Sequence, residues 1–350
     1  MTMFFAKSDL VSTAYSSILG LSVNGSNFQS LSAGTHTPLQ TGLVGVVTVA
    51  LLTRHSYFVS RSKSPYTLLF PYIDKDTWAL ILSIIYCSLA GIVFAYIWPT
   101  VINSLFGLFN FIATDITNPM NMFVYGLLER LLCDVGMGNL IRYAFWFTEM
   151  GGTWIQSLTG VSVSGDVSIW TAQSYTAGYS LGPGRFISAY YVLNLFAIPG
   201  MLLALSLSCS DTMERRRFNR FFLWAIAISL LGNTIYPFEI AMLIISPLLY
   251  FFHICFSAIL FGVFQAAEIY IGYAYSGQLV YATPGNIFDL LYYSRSAVSS
   301  RTIQVILIVG VFSFLLYFLI SKFYFKKCAV GLFDSSNLKN HTDLFIESVG

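Results

Sequence analysis

Apolar runs long enough to cross a lipid bilayer recur along this chain, and they leave few folds open to it. A helix of about 18 or more apolar residues crosses a hydrocarbon core roughly 30 Å thick. Such runs occupy residues 78–102, 186–209, 221–236, continuing through a proline break into 240–264, and 303–323. Residues 39–52 and 120–135 are apolar enough to cross if a few flanking residues join them. Residues 9–20 are too short to span, lack the basic flank and cleavage site of a signal peptide, and read as a helix fragment. Hydrocarbon offers backbone amides no hydrogen-bond partner, so each span closes its own hydrogen bonds as a helix. The expected class is an all-α polytopic membrane protein. Only 10% of the residues are charged, against roughly a quarter in soluble domains, which excludes water as the main solvent.

The few charges carry topology. A net charge of +2 gives no broad basic surface for nucleic acid. The cations gather at Arg54, Arg61 and Lys63, at Arg215, Arg216, Arg217 and Arg220, and at Lys322, Lys326 and Lys327. The positive-inside rule places all three clusters in the cytoplasm. The first two share a side only if an even number of crossings separates them, whereas the clear spans between them, 78–102, 120–135 and 186–209, are three. Residues 138–184 therefore supply another crossing or a re-entrant hairpin pair, unless they form a loop outside the membrane. That stretch is rich in glycine and holds Arg142, Glu149 and Asp166. Polar irregular backbone at membrane depth is tolerated only where protein buries it or where it lines a water-filled cavity. A second interruption falls at Pro237 and Glu239. Two such broken segments in apolar sequence point to a transporter site built from discontinuous helices.

Metal and redox chemistry find no pattern. Cys87, Cys133, Cys209, Cys255 and Cys328 show no CxxC spacing and read as small buried hydrophobes. His36, His55, His253 and His341 are too scattered for a zinc constellation. No cofactor and no catalytic residue is implied. Residues 1–328 read as one membrane domain and 329–350 as a short polar cytoplasmic tail.

Residues 125–136, YGLLERLLCDVG, resemble the pattern YGxxERxLxPxG of the glucose, N-acetylglucosamine and maltose branch of bacterial phosphotransferase enzyme IIC proteins. Other blocks follow in that family's order. GIVFAYIWP at 91–99 resembles the helix ending before the motif, and 39–52 the span before that. Downstream come Gly165-Asp166, Thr176-Ala177-Gly178 and the segment 196–199. GNTIYPFEIAMLIISPLLY at 232–250 resembles the block GITEPIEFxFxFxxPxLY, and His253 after it matches too.

The resemblance implies about eight transmembrane helices plus re-entrant hairpins, a homodimer, and a multi-pass location in the bacterial inner membrane among its lipids. It implies a sugar-translocating subunit that binds a hexose or hexoside for transfer to the cytoplasm, with phosphoryl groups from separate IIB and IIA proteins. It further implies that the family's first helices, which precede residues 9–20, are missing, and that no IIB domain follows. Cys328, beside Lys326 and Lys327, lacks the pattern of a phosphocysteine.

The departures fall at site positions. Gly138-Asn139 stands where the family has a His-His pair, and Tyr236 stands where it has the first glutamate before the proline. A phenol with a pKa near 10 cannot act as a carboxylate base at neutral pH. The second glutamate is present as Glu239. Glu129 and Arg130 are expected to pair with neighbours or face the protein interior, since lipid is a costly place for charge. The expected substrate-binding residues are Glu239, Tyr236, Asn139, Asp166 and Arg142. Trp146, Trp154, Trp170 and Tyr175 offer faces for a sugar ring or for packing. Two other readings fit the departures: a non-transporting homologue acting as sensor or scaffold, and a facilitator without phosphorylation.

Overall fold

Lipid as solvent inverts the usual helix pattern, and the computed structural model shows this most plainly near its C-terminus. The structure describes residues 42–62, 74–157, 159–174, 183–208, parts of 215–227, 235–272, 285–294 and 300–328. The expectations for 9–20, for 176–178, for most of 221–234 and for the tail 329–350 lie outside these residues, as does Tyr175.

The chain divides into two units, one of residues 1–114 and 135–141, the other of residues 115–134 and 142–350. In the first unit, α1 (Gly42–Ser62) packs against α2 (Lys75–Ala113). Asp74 caps α2 by accepting the Thr77 amide at 3.2 Å. Thr53 and Cys87 meet at 3.3 Å, and Arg61 donates to Asp76 at 2.9 Å, joining the two helices at the level of the cap. The 39 residues of α2 reach about 58 Å at 1.5 Å per residue, past the end expected at residue 102. Leu80, Ile84, Ile85, Leu89, Ile92 and Val93 are exposed along it, an apolar surface suited to hydrocarbon.

The second unit opens with a turn in which Asp115 accepts from the Thr117 amide at 2.9 Å and hydroxyl at 2.6 Å, bonds that hold its carboxyl below the usual range. Asn118 then caps α3 (Pro119–Asp134) through the Met120 amide at 2.8 Å, with proline as the first helical residue. The helix α4 (Gly138–Phe147) enters this unit at Arg142. After a 3-10 turn at Glu149–Gly151, β1 (Thr153–Ile155) pairs antiparallel with β2 (Ser162–Ser164), the only strands among the described residues. Then come α5 (Asp166–Ser174), α6 (Ser188–Ser208), α7 (Tyr236–Ile245), α8 (Pro247–Ala266), α9 (Ile287–Ser294) and α10 (Ser300–Cys328).

Two pairings organise this unit: α3 on α8, and α6 on α10. The first depends on Gly126, where an added Cβ would lie 2.5 Å from Phe261 Cδ2 and 3.0 Å from the Ala258 Cα. Close backbone approach at small residues is how helices associate when lipid removes the hydrophobic drive. On α10, Ser313, Tyr317 and Ser321 are buried while Ile308, Val311, Phe312, Leu315 and Leu319 are exposed, polar inward and apolar outward. Within α6, residues Leu193–Ala197 are π-wound.

Four helices among the described residues are long and apolar enough to cross a membrane: α2, α6, α8 and Ser300–Phe325 of α10. The run expected at 240–264 is broken. Ser246 leaves helical geometry at φ −150° and ψ 87°, closing α7, and its hydroxyl accepts the Leu249 amide at 3.3 Å to cap α8. Pro247 has no amide proton to continue α7 and disfavours helical geometry in the residue before it.

Candidate functional site

Glu129 and Arg130 occupy successive positions on α3, and both are buried. Burying charge costs several kcal/mol per ion unless geometry and hydrogen bonds offset it, so the partners decide what this segment is for. Arg130 grips Glu129 with two parallel bonds, Nε to Oε2 at 2.6 Å and Nη2 to Oε1 at 2.9 Å. Its remaining nitrogen, Nη1, donates to Glu239 Oε1 at 3.0 Å. Arg142 of α4 donates to Glu129 Oε1 through Nε at 2.9 Å and Nη2 at 2.8 Å. The Cys133 thiol adds a fifth contact to the same carboxylate at 3.0 Å.

Glu239, in the first turn of α7, is 1% exposed. Its Oε1 also meets His253 Nε2 of α8 at 2.9 Å, and His253 Nδ1 meets the Tyr317 hydroxyl of α10 at 2.9 Å. A carboxylate can only accept, so Nε2 carries the proton and donates to Glu239. Glu239 Oε2 is buried with no hydrogen-bond donor among the described residues. At the end of α3, Tyr250 of α8 donates to Asp134 Oδ2 at 2.6 Å. The Tyr190 ring of α6 lies under both arginines, 5.0 Å from Arg130 and 5.6 Å from Arg142. Six helices thus contribute to one buried polar network.

Two of the expected site residues, Glu239 and Arg142, meet in this network through Glu129 and Arg130. Asp166 is engaged elsewhere. It is fully buried at the start of α5, and both its oxygens accept the Gly184 amide, at 2.9 and 3.0 Å. Gly184 has a φ of +117° that side chains rarely adopt, and the carboxylate holds this turn before α6. Asp166→Ala is expected to lower stability by about 2 kcal/mol, because it strands a buried amide. A denaturant midpoint unchanged in detergent would contradict that role. Asn139 is exposed on the portion of α4 within the first unit. The Tyr236 side chain lies outside the described residues, although its backbone begins α7. Trp146 and Trp170 are buried, the first beside Arg142 and the second donating to the Tyr293 hydroxyl at 3.1 Å, so both serve packing.

Sequence reading missed Asp134, Tyr250 and Tyr317. His253 carried a signal, its match to the block after Glu239, but not its bond to that carboxylate.

Buried charges held among apolar, outward-facing helices define an integral membrane protein with a polar interior site. The chain belongs to the family described as "Phosphotransferase system, EIIC", whose model matches residues 2–258. It is a multi-pass protein of the inner membrane. It is 27% identical over 290 residues to the glucoside-specific EIICBA component of Staphylococcus carnosus (strain TM300), covering 83% of this chain and 40% of that protein. It is 27% identical over 236 residues to the N-acetylglucosamine-specific EIICBA component of Klebsiella pneumoniae, covering 67% and 33%. It is 26% identical over 291 residues to the maltose-specific EIICB component of Escherichia coli (strain K12), covering 81% and 52%. The chain thus spans between a third and about half the length of these relatives.

Proposed function

We propose that this chain is a sugar-translocating membrane subunit, binding a hexose or hexoside within the membrane and releasing it to the cytoplasm. Phosphorylation is supplied by separate IIB and IIA proteins, and the working form is a homodimer among membrane lipids, with residues 1–328 as the translocating domain. The observation that carries the reading is Glu239. It sits at the start of a broken helix, is fixed through one oxygen by Arg130 and His253, and its other oxygen, also buried, has no donor among the described residues. A carboxylate with one oxygen held and the other lacking a donor suits a sugar hydroxyl, which gives a charged acceptor a strong bond. Membership in the EIIC family, with glucoside, N-acetylglucosamine and maltose relatives, supports the same class of ligand. Arg142 orients Glu129 and through it Arg130. Tyr236 is a further ligand from the first turn of α7, replacing a charged acceptor by a hydroxyl.

The test is uptake of radiolabelled glucose, N-acetylglucosamine and maltose in cells lacking their own glucose-type permeases. Uptake of one sugar is expected, reduced at least a hundredfold by Glu239→Gln and several-fold by Tyr236→Phe. Neither binding nor uptake of any of the three would overturn transport and leave a sensor or scaffold. Uptake that proceeds without a phosphoryl donor would identify a facilitator.

A further inference from the structure

We infer that a cavity between α6, α10 and the arginine-rich segment after α6 binds one anionic phospholipid, with an acyl chain inside it and the headgroup on the arginines. The cavity has a volume of about 340 Å3 and belongs wholly to the second unit. α6 and α10 meet beside it at Gly200, where an added Cβ would lie 2.5 Å from the Phe314 carbonyl oxygen. Its lining is graded from polar to apolar. Ser206 of α6 donates to Asn219 Oδ1 at 2.7 Å, so the polar residues of the two walls meet at one end. From there α6 presents Leu203, Leu202 and then Pro199, while the facing wall presents Leu223 and then Ile226. The path from Ser206 back to Pro199 is about 10 Å at the helical rise. Leu203 and Leu223 are 44% and 64% exposed, so the cavity opens to the hydrocarbon around the protein. An acyl chain is the apolar molecule that this solvent supplies.

Charge selects the headgroup. Residues 211–220 carry four arginines against two acids. Arg215, Arg216 and Arg220 are exposed, and the ion pairs among the described residues include none of them. Arg216, Asn219, Arg220 and Leu223 are helical and recur at i, i+3, i+4 and i+7, a spacing that sets two cations on the face that lines the cavity. Asn219 gives its oxygen to Ser206, which leaves its NH2 group as a donor beside those cations. The positive-inside rule puts this end in the cytoplasmic leaflet, whose anionic lipids are drawn to basic pockets between helices. The site rests on geometry that exists whether or not the chain moves sugar.

Native mass spectrometry of the full chain, delipidated in detergent and titrated with phosphatidylglycerol or phosphatidylcholine of the same acyl chains, tests it directly. One phosphatidylglycerol is expected to stay bound per chain, and phosphatidylcholine to be lost. Replacing two cations together, Arg216→Gln with Arg220→Gln, is expected to weaken phosphatidylglycerol binding roughly tenfold. Leu203→Trp, which fills the cavity, is expected to weaken it at least as much, while Arg54→Gln in the separate basic cluster on α1 leaves it unchanged. If Leu203→Trp misfolds, the arginine pair decides the matter, since both side chains are exposed. Equal retention of the two lipids, or an Arg54→Gln loss matching that of the arginine pair, would overturn the site as mere surface attraction. A second copy of the chain that dissociates on Leu203→Trp would also overturn it and make the cavity a subunit contact. Uptake without lipid retention defeats this inference alone, and retention in a chain that takes up no sugar defeats the transport reading alone.

Discussion

Glu129→Gln is expected to destabilise the protein by about 3–5 kcal/mol, the cost of removing one partner from a buried ion pair. The glutamate is the acceptor for two arginines and a thiol. Glutamine keeps the shape but offers one neutral oxygen, and it places an NH2 group where the other oxygen stood. Arg130 retains Glu239, while Arg142 loses its anionic partner. The measurement is the unfolding midpoint in mixed micelles titrated with SDS, with Glu239→Gln alongside. Glu239→Gln is expected to cost less, since Arg130 still holds Glu129 and His253 still holds Tyr317. A loss below about 1 kcal/mol for Glu129→Gln would be the size expected of an exposed pair, and would mean that water reaches both arginines.

The other large effect is expected at Gly126. Valine there is predicted to cost about 3 kcal/mol, the upper end of ordinary overpacking. The reason is the surroundings of the new methyl groups. Phe261, 2.5 Å from the added Cβ, is 1% exposed and wedged edge-on between Tyr125 and Tyr190, at centroid distances of 5.4 and 5.6 Å. The ring has nowhere to turn, so α3 and α8 separate. Helix propensity favours alanine over glycine by about 1 kcal/mol, which makes Gly126→Ala the milder variant. The same SDS titration orders the series, and equal midpoints for glycine and valine would show that the helices are not in close contact.

What could be read in the sequence follows from the solvent. Lipid demands long apolar helices, so α2, α6 and α10 were marked by composition alone. The break between α7 and α8 is equally local, in Ser246-Pro247, but it lies inside an apolar run whose length alone suits a single span. The pairing of Glu129 and Arg130 with neighbours followed from the cost of charge in lipid. Their distant partners did not. Arg130 and Glu239 are 109 residues apart, Tyr250 and Asp134 are 116, and His253 and Tyr317 are 64. Such bonds depend on how helices cross, which no local spacing encodes. Asp166 illustrates the opposite case: a carboxylate in a glycine-rich stretch looked like a ligand, and it is occupied by the backbone of the turn it stabilises.

The polar network also has a mechanical meaning. α3 is tied through Arg130 to α7 and through Asp134 to α8, while His253 ties α7 and α8 to α10. The Arg130 and His253 ties share Glu239 Oε1, and releasing any of the ties leaves a buried group short of a partner. Sliding α3 by one helical turn, about 5.4 Å, would break its ties to α7 and α8 together. A partial shift would strand buried charged and polar groups, so the network favours these helices moving as one body.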